Sequence, residues 1–470
     1  MMDELTRRQF IGATVGGAAA LAGLGKLGSA GAAEADPFKP FPTKIVVRKV
    51  YLAKPVPSWP TPKLDVQAEI RKIEGWLAEL QKEAPDVEFV GGELLRTSAD
   101  VPGLKAAVGN PDGILVFNLT STVGHLLRAV VDFGFPTIMF SQPYSGHDWS
   151  GVAGLQNAGK KVDVLASSDY RDILKGVAVF RTPKRLKETK ILHLRNGGAS
   201  AQYVKDARRN VGPEILSISH QRLVDAYNAI DPKDAEPEAD AWIKGALRVV
   251  EPTREEIIKS SRLYLAMRSV MREEGARGIA INCLGLFYRG VLPAYPCLGF
   301  SRLNSIGRAG MCEADLDSTL THFMFMYLVG KPGFISDPVI DTATNTVIHA
   351  HCVATTKMAG PDGPEDPYII RSHLEDDKGA VLQVKMRIGQ VITAAKLINL
   401  DTMLISTGKI IATPQVDRGC RTKITTAVAD AQKIMENYTG GLHRVIFYGD
   451  HVREIKRLAR FMPFKVVEEG

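Results

Sequence analysis

Strand-like and helix-like segments alternate over the first two thirds of the chain, and this alternation constrains the fold more than any other feature. Near the start, a strand pattern over 43–53 is followed by an amphipathic helical pattern over 65–84 and by an apolar run over 113–119. Strands separated by helices pack as parallel sheets that are covered by helices. We therefore predict two consecutive α/β domains with mainly parallel sheets, over 44–180 and 181–344.

From about residue 345 the pattern changes to short segments in which apolar and polar residues alternate, as in 346–354 and 402–411. Turns rich in Gly and Asp separate these segments. A period of two is typical of strands with one buried face, and several such strands in succession form a mostly antiparallel sheet or barrel. We predict a β-rich, barrel-like domain over 345–470. The fold class is therefore α/β with a C-terminal β domain.

The N-terminus has the features of an export signal. Arg7 and Arg8 are followed by Phe10, by a Gly- and Ala-rich apolar run, and by small residues at 30–33. This order predicts a twin-arginine signal over 1–33. The apolar part is too short and too rich in Gly for a transmembrane helix. We expect a periplasmic or extracellular protein with no stable membrane span once the signal is removed. Because the twin-arginine route carries folded proteins, the signal also favours a bound metal or organic cofactor.

Composition and charge exclude some classes of protein. Of the 470 residues, 45% are hydrophobic and 24% are charged, which is the composition of a globular protein. The formal net charge is +7, but the basic residues are dispersed and form no dense block with interleaved aromatic residues. We therefore expect no nucleic-acid partner.

The cysteines show no disulfide framework. Their number is odd, no CxxC pair occurs, and each lies within or beside an apolar stretch. A chain of this length needs no disulfide scaffold, so buried free thiols are expected. The five residues are Cys283, Cys297, Cys312, Cys352 and Cys420.

Acidic residues stand out at two places in the second half of the chain. Glu313, Asp315 and Asp317 precede an apolar helical pattern. Helix capping accounts for Asp315 and Asp317, because acids in a first turn complement the helix dipole. Glu313, at the junction between loop and helix, is less well explained by capping. Asp337 precedes Pro338, which holds it extended. We expect it at the C-terminal end of a parallel strand, where α/β folds bind ligands, or at the start of a turn.

Histidines add possible metal ligands. In the strand pattern over 346–354, His349 and His351 share one face, with backbones about 7 Å apart, so one ion is reached easily by one ring and with difficulty by both. His443 shares an apolar strand face with Val445 and therefore points inward. The alternative for each of these histidines is a structural role in the core. Carboxylates and imidazoles together suit Mn²⁺, Mg²⁺, Zn²⁺ or Fe²⁺.

These residues carry a family resemblance. The stretch 297–352 contains "CEAD" ahead of an apolar helix, a "GKP" turn, an Asp-Pro pair and an "HAHC" strand, and a late histidine is followed by a strand and "GD". It resembles the metal-dependent L-fucose isomerase and L-arabinose isomerase superfamily. The likeness is strongest over 275–355 and continues weakly to the C-terminus.

The resemblance implies a site and a reaction. Acids at the positions of Glu313 and Asp337 bind the metal and carry protons in that family. The late histidine, like His443, is a metal ligand, and in the arabinose branch the strand histidine, like His351, is another. Family members are typically Mn²⁺-dependent homo-oligomers, often trimers or hexamers, with sites near subunit contacts.

We therefore expect a metal-dependent aldose–ketose isomerase that acts on a small sugar through an enediol. Glu313 and Asp337 would be its catalytic acids. Two alternatives stay open. One is a periplasmic sugar-binding protein without catalysis, which would need aromatic platforms and no metal. The other is a metal-dependent hydrolase or lyase that acts on a sugar derivative.

Overall fold

The structure is a computed structural model that describes residues 36–470, and the predicted export signal over 1–33 lies outside this range. The strands of the described chain are β1 Ile45–Leu52, β2 Val87–Leu95, β3 Gly113–Asn118, β4 Thr137–Ser141, β5 Val162–Ala166, β6 Lys190–Leu194, β7 Glu214–Ser217, β8 Gly278–Ile281, β9 Ala309–Met311, β10 Phe334–Asp341, β11 Thr346–His351, β12 Tyr368–Arg371, β13 Val381–Val384, β14 Val391–Ile398, β15 Thr402–Ala412, β16 Thr422–Val428, β17 Arg444–Tyr448 and β18 Lys465–Glu468. Its α-helices are α1 Val66–Glu83, α2 Val101–Ala107, α3 Gly124–Val131, α4 Val152–Asn157, α5 Ile173–Lys187, α6 Ala201–Asn210, α7 His220–Ala229, α8 Pro232–Gly245, α9 Arg254–Glu273, α10 Cys283–Phe287, α11 Cys297–Ser305, α12 Leu316–Val329, α13 Ala431–Asn437 and α14 Val452–Leu458.

Two parallel sheets are built from the alternating part of the chain. The first has five strands in the order β2-β1-β3-β4-β5, and the second has four in the order β7-β6-β8-β9. Every residue of β3, β4 and β8 is buried. Helix α1 shows why the pattern folds this way: Asp65 caps its first turn, while Ile73 and Leu77 bury its apolar side. The predicted α/β class is confirmed.

Six antiparallel strands close into the C-terminal barrel. Neighbouring strands follow the order β14-β17-β10-β11-β16-β15, and β14 also pairs with β15, which closes the ring. The short strand β18 adds to β15 in parallel. All six barrel strands line an internal cavity, whose wall includes Pro338, Val347, His349, Ile392 and Thr426. The predicted barrel-like domain is confirmed.

The strand that carries Asp337 differs from the prediction. β10 is antiparallel to both of its neighbours, β11 and β17, and Asp337 pairs with Ala350 in the middle of the strand. The expectation that Asp337 ends a parallel strand is therefore wrong. Proline holds the preceding residue extended, which a strand accommodates as well as a turn does. The chain turns only after Asp341, and Asn345 there has a φ of 54°. The barrel thus includes residues that precede position 345.

Helix α12 packs between the second sheet and the barrel. Its Phe323 lies against Gly278 of β8, where an added Cβ would come within 2.8 Å of the ring. Phe325 stacks on Phe447 of the barrel, with ring centroids 3.9 Å apart. The helix is 14 residues long, whereas a membrane-spanning helix needs about 20. Among residues 36–470, no helix is long and apolar enough to cross a membrane.

Replacing His322 with Asn should make the fold less sensitive to acid. His322 lies fully buried in α12, and its Nδ1 accepts a hydrogen bond from the Gly333 N–H at 3.1 Å. Burial lowers the pKa of His322 from 6.5 to about 4. Between these values the unfolded chain binds a proton that the folded chain does not, so the free energy of unfolding falls as the pH falls from 6.5 towards 4. At pH 5 this corresponds to about 2 kcal/mol.

The measurement is the change in urea-unfolding free energy between pH 7.5 and pH 5. We expect a smaller change in His322→Asn than in the wild type, even if the variant is less stable at both pH values. The matched control is His147→Asn, because His147 is exposed. Equal changes in His322→Asn and the wild type would contradict the prediction.

Candidate metal centre

Glu313 lies in a strained turn at the carboxyl end of β9. The turn is a short 3-10 helix over Cys312–Ala314, in which both Glu313 and Ala314 have a φ of 55°. Residues other than Gly rarely adopt this left-handed conformation, which costs on the order of 1 kcal/mol or more each. The turn leaves the Glu313 side chain 42% exposed. It thus presents a carboxylate at the surface next to a buried region.

The residues that the sequence singled out come together from separate elements. The Nε2 atom of His443 lies 3.3 Å from Asp337 Oδ1 and 3.6 Å from Glu313 Oε2. His351 Nε2 lies 4.0 Å from Asp337 Oδ2. Ligand atoms of Asp337, His351 and His443 all lie within 4.8 Å of one another. The Glu313 turn and the barrel wall therefore form one cluster.

His349 lies elsewhere, although it shares a strand face with His351. Its ring nitrogens lie 3.3 Å from the hydroxyls of Ser336 and Thr426, inside the barrel cavity. Burial lowers its pKa to about 3. His349 is thus a neutral core residue, whereas His351, at the end of β11, reaches the cluster.

Asp315 fixes the orientation of the His443 ring. Its Oδ2 lies 2.8 Å from His443 Nδ1 and 3.0 Å from Lys396 Nζ, and its Oδ1 accepts the Ser318 N–H of α12. Burial alone would raise the pKa of Asp315, but these partners, His443 first, hold it well below its ordinary value. The ionised carboxylate accepts a hydrogen bond from the Nδ1–H, which leaves Nε2 turned towards Glu313 and Asp337.

Two buried polar atoms in the cluster lack a hydrogen-bond partner among the described residues. They are Asp337 Oδ1 and His443 Nε2, and such atoms normally find one. Burial raises the pKa of Asp337 to about 6, against the attraction of His443. Burial acts to lower the pKa of His443, but the hydrogen bond to Asp315 and the nearby carboxylates outweigh it and raise that pKa. The carboxylates around His443 therefore favour the cationic form of its ring.

The spacing of these atoms suits a divalent metal ion. With bonds of about 2.1 Å, adjacent ligands of an octahedral ion lie about 3.0 Å apart. The separations of 3.3 and 3.6 Å around His443 Nε2 are close to this value. His443 Nε2 thus lies at ligand spacing from each carboxylate. Among residues 36–470, the groups of three whose ligand atoms all lie within 4.8 Å of one another are Asp337, His351 and His443, and Cys312, Glu313 and His351.

The orientation of the His351 ring does not suit a metal ligand. Its Nδ1 accepts a hydrogen bond from the Val353 N–H at 3.2 Å. Burial lowers its pKa to about 3, so the ring is neutral. In this orientation the single proton is on Nε2, and an Nε2–H can donate to Asp337 but cannot bind a cation.

The sequence did not indicate two further residues of the site. Asp315 was assigned to capping alone, yet it both caps α12 and holds His443. Lys396 lies inside the buried strand β14 and is 4% exposed. The feature of the sequence that could have indicated Lys396 is its place in a mostly apolar strand, since buried lysines are normally paired.

All five cysteines line a small cavity beside the cluster. The cavity has a volume of about 40 Å³, and Glu313, Asp337 and His351 also contribute to its wall. The thiols are free, as the sequence predicts, and Cys283 Sγ lies 2.8 Å from Cys312 Sγ.

A larger cavity lies at the carboxyl ends of β4 and β5 in the first sheet. Its volume is about 680 Å³, within the range of small-molecule sites. Three exposed aromatic side chains contribute to its wall: Trp59, Tyr144 and Trp149.

Comparison with known proteins finds a distant similarity to a curated protein. No family model matches the chain. The chain is 23% identical over 303 residues to a sulfoquinovose isomerase from Clostridium sp. (strain MSTE9). The match covers 61% of this chain and 65% of that protein, which is less than two thirds of the relative's length. The chain is therefore similar to a sugar isomerase.

Replacing Asp315 with Asn should weaken binding of added Mn²⁺. Asn caps a helix as well as Asp does, so α12 should remain intact while His443 loses its charged partner. Such partners are typically worth roughly 10- to 100-fold in metal affinity. The measurement is a calorimetric titration with Mn²⁺.

The matched control is Asp317→Asn. Asp317 lies in the same helical turn but bonds to Tyr203, at 2.6 Å, instead of His443. An equal loss of affinity in both variants would show that Asp315 acts only through the helix.

Proposed function

We propose that the protein is a metal-dependent aldose–ketose isomerase that acts on a sugar through an enediol. The observation that carries the proposal is the unpartnered Nε2 of His443, aimed at Glu313 and Asp337. The similarity to a sulfoquinovose isomerase supports the reaction class.

The proposed cation is Mn²⁺, held by Glu313, Asp337 and His443. Carboxylates and imidazoles together suit Mn²⁺, Mg²⁺, Zn²⁺ or Fe²⁺, and the family resemblance of the sequence favours Mn²⁺ among them. His351 would be a fourth ligand only if its ring turned and gave up the Val353 hydrogen bond. The bound ion would polarise the sugar carbonyl and stabilise negative charge on its oxygen.

The two carboxylates carry the protons. Isomerisation moves one proton between neighbouring carbons, while a hydroxyl proton moves between the oxygens. Asp337 is the less exposed of the two, with 29% of its side chain exposed against 42% for Glu313, and is better shielded from water. Glu313 is exposed on the open side of the cluster, where a substrate can approach. One carboxylate would take the C–H proton, and the other would carry the hydroxyl proton.

The cavity at the cluster restricts where the sugar binds. Its volume of about 40 Å³ is far below that of small-molecule sites, so the sugar would bind on the open side at Glu313. We propose an aldose or a ketose as the substrate.

Glu313→Gln should abolish most of the isomerase activity. The protein is stripped with chelator, reloaded with Mn²⁺ and incubated with a panel of aldoses and ketoses. Loss of a general acid–base group should lower kcat by roughly 100-fold or more. Asp341→Asn is the control, since Asp341 ends the same strand as Asp337 but bonds to the following turn, where it accepts the backbone N–H groups of Ala343 and Thr344.

Two outcomes would reject the proposal: no conversion of any sugar, or wild-type activity in Glu313→Gln. Product analysis by NMR in deuterated water separates an isomerase from the hydrolase or lyase alternative. An enediol route places deuterium next to the carbonyl, whereas hydrolysis or elimination changes the carbon skeleton or releases a fragment.

The second candidate is a sugar-binding protein without catalysis, and the aromatic cavity of the first sheet favours it. Exposed Trp59 and Trp149 could stack on sugar rings there. Under this alternative, sugar binding survives EDTA and is weakened at least tenfold in Trp149→Ala. Under the isomerase proposal, EDTA removes sugar binding and Trp149→Ala retains it, as measured by calorimetry.

We also propose that the protein is exported and forms a trimer or hexamer. The support is the twin-arginine pattern at Arg7 and Arg8 and the family resemblance of the sequence. Light scattering of the purified protein measures the oligomer, and fractionation of the producing cells measures export.

A further inference from the structure

Cys283 and Cys312 form a close thiol pair beside the candidate metal centre. Cys283 begins α10 just after β8, and Cys312 follows β9, the neighbouring strand of the same parallel sheet. The strand order therefore brings together two residues that are 29 positions apart, with their Sγ atoms 2.8 Å from each other. Both residues are buried, and they line the same cavity as Glu313.

The distance between the sulfurs distinguishes two uses of such a pair. Two thiolates on one tetrahedral zinc ion, with bonds of about 2.3 Å, lie about 3.8 Å apart. The sulfurs of a disulfide lie about 2.05 Å apart. The observed 2.8 Å is too short for two thiolates on one tetrahedral ion and about 0.8 Å longer than a disulfide bond. The geometry therefore favours a disulfide over a metal ion held by both thiolates.

We propose that Cys283 and Cys312 form a reversible disulfide when the protein meets a peroxide, and that this bond switches off the metal centre. The switching part rests on the proposed function. The oxidant must be small, because the exposed fractions of Cys283 and Cys312 are only 1% and 5%. A protein oxidant could not reach either sulfur.

The chemistry balances with peroxide as the two-electron oxidant. One thiol is oxidised by hydrogen peroxide to a sulfenic acid, with release of one water. The second thiol attacks this sulfur, the S–S bond forms, and the hydroxyl group leaves as a second water. Two thiols and one peroxide thus become one disulfide and two waters. A dithiol reverses the step by two thiol–disulfide exchanges.

The disulfide would act on the metal centre through the backbone. Cys312 is joined directly to Glu313, whose φ of 55° already lies in the left-handed region. Closing the sulfurs from 2.8 Å to bonding distance requires a movement of about 0.8 Å. A functional site tolerates displacements of only about 0.5 Å. Glu313, 3.6 Å from His443 Nε2, would therefore leave its position in the cluster.

The test uses the full chain, reduced or treated with hydrogen peroxide, as wild type and as Cys283→Ser, Cys312→Ser and Cys297→Ser variants. Cys297 lines the same cavity and serves as the matched control. Disulfides are located by mass spectrometry of peptides, thiols are counted in denaturant, and Mn²⁺ affinity is measured by titration. Each variant is first checked for folding, and alanine replaces serine in any variant that fails to fold.

We expect peroxide to link Cys283 to Cys312, to remove two of the five thiols and to lower Mn²⁺ affinity at least tenfold, with recovery in dithiothreitol. Cys283→Ser and Cys312→Ser should keep their affinity after peroxide, and Cys297→Ser should behave like the wild type. A disulfide elsewhere, irreversible oxidation alone, or a linked pair with unchanged Mn²⁺ affinity would overturn the inference.

Failure of the proposed function gives a different result. In that case the reduced wild type binds no Mn²⁺ and isomerises no sugar. The proposal that the disulfide switches off the metal centre is then rejected as well. The linked peptide is scored independently of both measurements, so it still decides whether the pair forms.

Discussion

The hydrogen bond between Asp315 and His443 is the interaction on which the candidate site depends. It joins the start of α12 to the rim of the barrel, and Lys396 of β14 adds a third element to the same carboxylate. Because Asp315 is ionised, it fixes the proton of His443 on Nδ1. Without this bond, the second nitrogen of the ring would have neither a defined protonation state nor a defined direction.

Several features of the site are energetically unfavourable, and the rest of the fold must offset them. Two residues of the Glu313 turn occupy the left-handed region, and two polar atoms, on Asp337 and His443, are buried without hydrogen-bond partners among residues 36–470. Each such feature costs on the order of 1–3 kcal/mol. Helix α12 offsets them, because it is buried against both the second sheet and the barrel. Locally unfavourable features within an otherwise well-packed fold are characteristic of a functional site.

The sequence predicted the parallel sheets and the barrel, but it did not predict which strands are neighbours within them. Hydrophobic periodicity identifies strands and helices, so two parallel sheets and a barrel could be foreseen. It does not say which strands pair, and Asp337 was therefore placed on a parallel strand instead of in the barrel wall. The same limit hid the thiol pair: Cys283 and Cys312 have no informative spacing, and only the adjacency of β8 and β9 brings them together. Asp315 was understood as a cap because local sequence contains no trace of a contact with His443.

The position of the site between two layers also explains why a single turn can control it. Asp337 and His443 belong to the barrel, whose closed ring of hydrogen bonds leaves little freedom for either side chain. Glu313 belongs to the edge of the second sheet and is held by a strained turn of three residues. Of these three residues, Glu313 therefore moves at the lowest cost. A bond between the sulfurs of Cys283 and Cys312 acts on this adjustable side and leaves the barrel unchanged.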